Sequence, residues 1–373
     1  MKLFFKFLVV VFISGTLTSC HIGRFFYYNF ADIRDHKKFP KQEIKRDTSS
    51  TYRHLPTSKQ TVQQQLIQGL GNWDELTVDQ YVARHKTVAF LILKGDSLIY
   101  EAYYNGYDSS AVIPVFSVAK SYISALAGIA LEKGIFENLD DSITKYIPEL
   151  RDKGLESITL KNLLEMRSGL DYQEKYNSPF ADMAKYYYGR NLRKYITKLK
   201  PSQTPDSQYD YQSVNTLLLG LALENATGKN PAVLLEEWIW QQAGMQYDAS
   251  WSFDSKKHKT IKAFCCINLR ATDLARFGLL YKDKGKYHDQ QIIPEQWIEK
   301  SLEINNDSRD SGGYPYAMHW RSLPDGSFFA KGVLGQYLYV DPSRDIVIVR
   351  LGKSADKLDW ITFFREIAAK IQP

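Results

Sequence analysis

Cysteine is nearly missing from this chain, with three in 373 residues, at Cys20, Cys265 and Cys266. Adjacent cysteines seldom pair, since the linkage is strained, so no disulfide framework is expected and Cys265 and Cys266 read as buried thiols of a core segment. No Cys or His cluster at zinc spacing accompanies them, and neither a metal nor a cofactor is implied. Also missing are a Gly-x-Ser-x-Gly elbow, a His-Glu-x-x-His pair and a Gly-x-x-x-x-Gly-Lys phosphate loop, which sets aside three large classes of hydrolase. Basic residues do not gather into runs, and a net charge of +6 spread along the chain leaves no nucleic-acid footprint. Internal repeats and low-complexity tracts are absent. What remains is ordinary globular material, 44% apolar and 24% charged, in a length that suits one large or two small domains.

The first apolar run, Phe7 to Ile13 behind Lys2 and Lys6, is too short to span a membrane and reads as an export signal. Leu17-Thr18-Ser19-Cys20 resembles the lipobox of bacterial lipoproteins. The resemblance implies a signal peptide over 1–19, a lipid anchor on Cys20, and a place in the bacterial cell envelope outside the cytoplasm, on its periplasmic or outer-membrane side. Residues 20–75 open with Arg24-Phe25-Phe26-Tyr27-Tyr28 and turn polar, as a tether or an extension lying on the domain surface.

Periodic structure fills 76–373. The pattern predicts a helix from Leu76 to Lys86, then a hairpin of Val88–Leu93 and Leu98–Tyr104. Helices follow at Ser121–Lys133, Ile158–Met166, Asp182–Tyr195, Thr216–Asn225 and Pro231–Gln242, several stopping at glycine. Strands return at Ser327–Ala330, Gln336–Val340 and Ile346–Leu351, before a closing helix, Trp360–Ile371. Strands at both ends with helices between predict an α+β fold (an α/β sandwich): one antiparallel sheet built from both termini, flanked by helices, with a mostly helical region inserted. A site would form where the two regions meet.

Three Ser-x-x-Lys matches occur, at Ser117, Ser142 and Ser354. Ser142 sits in a polar stretch and Ser354 in an exposed-looking Lys/Asp cluster. Only Ser117 follows an extended apolar approach and opens a long helix, whose spacing places Lys120 on the same face. A serine hydroxyl is a poor nucleophile until a neighbour takes its proton, and a lysine three residues on can be that neighbour.

Ser117-Val118-Ala119-Lys120, then Tyr211-Gln212-Ser213 leading into Leu217-Leu218-Leu219-Gly220, then Lys331-Gly332-Val333-Leu334-Gly335-Gln336, together resemble the class C β-lactamase and penicillin-binding-protein-like serine hydrolases. Within them the match is similar to the 6-aminohexanoate-dimer hydrolase and esterase branch, where Tyr211-x-Ser213 replaces Tyr-x-Asn and Gly332-Val333-Leu334-Gly335-Gln336 stands in place of Lys-Thr-Gly. The loop Asp171–Tyr176 is similar to that branch's substrate-side loop. The resemblance implies the β-lactamase/transpeptidase-like fold, an acyl-enzyme on Ser117, proton transfer through Lys120 and Tyr211, and an oxyanion between the backbone N–H groups of Ser117 and Val333. It also places Ser213, Tyr176 and Gln336 on the substrate side.

The residues keep alternatives open. Ser213 can relay a hydrogen bond or cap a helix; Tyr176 can be a loop aromatic; Lys331 can face solvent along its strand. Tyr186-Tyr187-Tyr188 reads as helix packing. The expected substrate is a small ester or amide. A D-amino-acid peptidase or β-lactamase, and a non-catalytic penicillin-recognising lipoprotein, are the alternatives.

Overall fold

The computed structural model describes residues 21–28, 30–49, 55, 76–356 and 358–371. The signal peptide and Cys20 fall outside these residues, as does Lys357 of the third Ser-x-x-Lys match.

Seven strands form one antiparallel sheet in the order Ser97–Tyr103, Thr87–Lys94, Ile346–Gly352, Gln336–Asp341, Phe328–Gly332, Trp320–Ser322, Tyr316–Ala317. The early hairpin therefore pairs directly with the last strand, with Ile92 opposite Ile348. Strand Thr87–Lys94 is apolar from Val88 to Leu93 because both of its faces are covered. Phe90 and Ile92 point to one face, where they meet Tyr81, Trp360, Phe363 and Phe364 of the terminal helices Val78–Arg84 and Trp360–Lys370. Ala89, Leu91 and Leu93 point to the other, into the main core. The first terminal helix starts at Thr77, whose side chain and that of Gln80 cap each other's backbone.

On the second face lie the helices Ala119–Glu132 and Ala271–Lys282. Every residue from Ala119 to Ala130 is buried, which makes the first of these the axis of the molecule. It stacks Tyr122 on Phe277 at 3.7 Å. Gly278 lets its helix approach the sheet, since a Cβ there would lie 2.7 Å from Leu338 and Val347. The inserted helical region includes Leu160–Leu164 and the long Ser213–Thr227, closed by Gly228 in the left-handed conformation. The expected helix Asp182–Tyr195 is two, Asp182–Tyr188 and Leu192–Ile196. At the break, a Cβ on Gly189 would meet the Lys185 carbonyl oxygen and the Tyr195 ring, each at 2.2 Å.

A second sheet joins Lys41–Ile44, Ala249–Ser252, Ile267–Leu269 and Ile113–Pro114. Its first strand belongs to the N-terminal segment, which also buries Phe25 of helix His21–Tyr28 against Tyr188 at 5.6 Å. Asp35 in the same segment is buried, accepts a hydrogen bond from the Tyr187 hydroxyl at 2.5 Å and pairs with Lys38 at 2.7 Å. Burying Phe25, Ile33 and Ile44 contributes roughly 1.5–3 kcal/mol each, so this part of the segment is docked on the domain.

Candidate active site

The short strand Ile113–Pro114 is held by Ile267–Leu269, and Val115 continues the pairing with a 2.9 Å bond to the Ile267 carbonyl. The chain then reverses. Phe116 adopts φ +47°, a left-handed conformation that costs a bulky residue about 1–3 kcal/mol and persists only where its surroundings enforce it. Phe116–Val118 form one tight helical turn ahead of Ala119–Glu132, so Ser117 stands on a sharp strand-to-helix bend.

Lys120, one turn on, is buried with all three ammonium donors used: to Ser117 Oγ at 3.1 Å, Ser213 Oγ at 3.2 Å and the Phe264 carbonyl at 2.9 Å. Its ammonium also lies 5.0 Å from the centre of the Tyr211 ring. The structure thus brings Ser117, Lys120, Tyr211 and Ser213 together from a strand-to-helix bend and a second helix start. The Tyr211 hydroxyl makes no hydrogen bond among the described residues; its ring meets Tyr316 edge-on at 5.8 Å, beside the buried Arg321–Asp310 pair.

Ser213 is not a helix cap. It is the first residue of Ser213–Thr227, with Gln212 at the cap position. Its hydroxyl accepts from Lys120 and donates to Glu174 Oε1 at 2.6 Å, while its backbone N–H donates to Glu174 Oε2 at 2.8 Å. Tyr176 donates to the same carboxylate at 2.5 Å. Glu174, which sequence reasoning passed over inside the loop it had singled out, is the hub that ties that loop to Ser213 and, through it, to Lys120. A lone acid in a polar loop carries no spacing signal. His319 was also passed over: buried behind Lys120, it shares 3.2 Å and 3.3 Å contacts with Thr216 and Tyr316. Burial, then the Lys120 and Arg321 cations, hold its imidazole well below the usual histidine range, so it is neutral at pH 7.

On the other side of Ser117 runs the end of strand Phe328–Gly332. A Cβ on Gly332 would lie 2.5 Å from the Val115 carbonyl oxygen and 3.2 Å from Ser117 N, so only glycine admits this approach. Val333 follows and lines, with Ser117, Tyr176 and Ser213, a cavity of about 190 Å³. Gln336 does not reach it. Its side chain is fully buried and bridges Gly352, donating to the carbonyl at 2.7 Å and accepting from the N–H at 3.0 Å. It braces two strands rather than binding substrate, because the next residues turn through Leu334 and Gly335, both with positive φ, and carry it inward. Lys331 is half-buried, with burial lowering its pKa, and does not line the cavity.

Two further expectations change. Tyr187 and Tyr188 pack their helix, as read, but also wall the cavity. Cys265 and Cys266 are not free thiols: they are joined to each other, with Cys266 at φ +72°, a turn that brings the neighbouring sulfurs to one side. Cys265 lines the cavity next to Phe264, whose carbonyl holds Lys120. Of the other Ser-x-x-Lys matches, Ser142 caps a short helix through Thr144 N, and Lys145 pairs with Glu137 and Asp141 at the surface.

The beta-lactamase family matches residues 75–359. A 6-aminohexanoate-dimer hydrolase of Paenarthrobacter ureafaciens is 24% identical over 300 residues, 75% of this chain and 76% of that protein. Among solved structures, a Bacillus anthracis protein described as a 6-aminohexanoate-dimer hydrolase superposes with a TM-score of 0.78 at 24% identity, covering 89% of this chain and 90% of the other. A family VIII carboxylesterase gives 0.67 at 12% identity over 86% and 100%. The sheet built from both chain ends, the Ser117–Lys120 bend beneath it and a family match across most of the length agree: the chain belongs to the beta-lactamase family and is a serine hydrolase.

Proposed function

We propose that the protein cleaves a small ester or amide through an acyl-enzyme on Ser117. The observation that carries this is the 3.1 Å bond between Lys120 Nζ and Ser117 Oγ, in a site where the lysine's other two donors are fixed by Ser213 and Phe264. Ser117 Oγ attacks the carbonyl carbon while its proton passes to the Lys120–Tyr211 pair, which for this step holds one proton fewer than an ammonium and a phenol together. The carbonyl oxygen, now an anion, lies between the N–H groups of Ser117 and Val333, which is worth several kcal/mol in such sites. Tyr211 returns the proton to the departing alcohol or amine. Water then attacks the acyl-serine by the same route in reverse, releasing the acid and restoring the hydroxyl. Among the described residues Tyr211 has no competing hydrogen bond, which suits a group that must exchange a proton.

Ser117→Ala is expected to abolish hydrolysis of p-nitrophenyl butyrate while leaving the melting temperature near wild type. Turnover at the wild-type rate in that variant would remove the nucleophile assignment. A panel of linear amides, D-Ala-D-Ala peptides and a chromogenic cephalosporin run beside it reads the alternatives, and covalent labelling by penicillin without ester turnover would favour a cell-wall peptidase. We propose also that Cys20 bears the lipid anchor, a reading supported by the Leu17–Cys20 pattern alone; Cys20→Ser should move the protein into the soluble fraction, and unchanged membrane association would count against it.

A further inference from the structure

From the cavity beside Ser117 we infer that the acyl half of the substrate is uncharged and apolar, and that the N-terminal segment builds part of the wall that selects it. This rests on the acyl-enzyme reading above.

Among the described residues, none that lines the cavity is an acid, a base or a histidine. Phe116, Phe264, Tyr187, Tyr188, Met183 and Leu334 present carbon, and Ser117 and Ser213 line it as well. The charges beside this lining already have partners. Lys120 gives its three donors to Ser117, Ser213 and the Phe264 carbonyl. Glu174 accepts from both groups of Ser213 and from Tyr176. Asp35, behind Tyr187, takes that residue's hydroxyl and the Lys38 ammonium. Lys262 donates to the Tyr187 carbonyl at 2.6 Å and sits over the Phe39 ring, on the far side of the same tyrosine. A substrate ammonium or carboxylate inside the cavity would lose its water and find no partner.

Tyr211 does not line this cavity; it stands beside Tyr316 and Arg321. The group that protonates the leaving atom is thus not among the walls of the apolar pocket, which assigns the pocket to the acyl chain and the Tyr211 side to the alcohol or amine.

Part of the wall comes from Phe30 and Ala31, which follow the N-terminal helix. They are held there by Phe25, which contacts Phe30 at 5.4 Å and Tyr188 at 5.6 Å, and by Phe39 against Tyr187 at 5.3 Å. The segment ahead of the family match is therefore part of the specificity surface.

The test compares p-nitrophenyl acetate, hexanoate and 6-ammoniohexanoate on the full chain. Wild-type kcat/KM for hexanoate should exceed that for the ammonium ester at least about tenfold; a smaller ratio overturns the inference. Ala31→Phe should lower the hexanoate-to-acetate ratio severalfold by filling the pocket. Phe30→Asp, at a half-exposed position, should move the preference toward the ammonium ester by supplying a counter-charge. Wild-type ratios in both variants would overturn the role of the N-terminal wall. Calorimetric binding of the same esters to Ser117→Ala reads the pocket without the nucleophile: equal Kd values for the apolar and ammonium esters overturn the pocket assignment. Hydrolysis persisting in Ser117→Ala would instead overturn the acyl-enzyme reading, with the ester ratios still reporting on the pocket.

Discussion

Gly332→Ala is the sharpest probe of the site because it adds one methyl group and little else. The residue has φ −123°, an ordinary extended conformation, so alanine meets no backbone strain. The methyl would, however, start 2.5 Å from the Val115 carbonyl oxygen and 3.2 Å from Ser117 N. Real Cβ contacts essentially never fall under 3.0 Å, so the strand end must retreat by at least about 0.5 Å from the Ser117 bend. That displacement separates the two N–H groups proposed to share the oxyanion. A misplacement of about 1 Å costs on the order of a hundredfold, and loss of one oxyanion donor about 10²–10³ in kcat. We expect kcat for p-nitrophenyl butyrate to fall about 30- to 300-fold, or about 2–3.4 kcal/mol, with KM changing much less. Overpacking should also lower stability by about 1–3 kcal/mol, visible as a drop in melting temperature. Stopped-flow separation of the p-nitrophenol burst from steady-state turnover places the loss in acylation or deacylation. A variant that is destabilised yet retains kcat within threefold of wild type would refute the idea that the closeness of this strand to Ser117 matters to the chemistry.

Two further outcomes test the surroundings. Glu174→Gln replaces a carboxylate that accepts three donors with an amide that cannot accept them all, and should lower kcat about 10- to 100-fold, with Glu174→Asp recovering part of it; equal activity in wild type and Gln would show that Ser213 and the loop are held without it. Lys262 is fully enclosed, and burial brings its pKa from 10.5 down to about 7. Between pH 7 and 10.5 the unfolded chain binds a proton that the folded chain does not, so the native state gains stability as pH rises through that window and carries the full penalty below it. Lys262→Met should flatten this rise, by up to about 1.4 kcal/mol per pH unit, in urea titrations at pH 7, 8 and 9. Parallel curves for the two proteins would mean that the ammonium finds solvent in the native state.

The large sheet was legible because its strands are long enough to show their pattern: Thr87–Lys94 and Ile346–Gly352 are covered on both sides and contain the apolar runs Val88–Leu93 and Ile346–Val349. The two- to four-residue strands at Tyr316–Ala317, Trp320–Ser322, Ala249–Ser252 and Ile267–Leu269 have no period to read and were not anticipated. Ser117 and Lys120 were legible through their spacing at a strand-to-helix boundary. Glu174 and His319 were not, since each acts through a contact made across more than 35 residues of sequence. Gln336 was placed by its neighbours along the chain, but a left-handed turn between Val333 and Gln336 sends the two side chains to different sides of the strand. The pairing of Cys265 with Cys266 ran against a general rule, and only the local backbone at Cys266 decides it.

The pairing of the first hairpin with the last strand carries a consequence for how the enzyme comes into being. Ile92 and Ile348 are about 250 residues apart, and Gly332, which abuts the nucleophile's bend, lies beyond every helix of the insert. Closing so long a loop must precede the contacts that reward it. A chain emerging from its N-terminus can form the helices around Ser117 early, but the sheet stays open and the second wall of the site absent until nearly the whole sequence is free. A chain that ends anywhere before Gly332 carries Ser117 and Lys120 but lacks the strand end that closes against them.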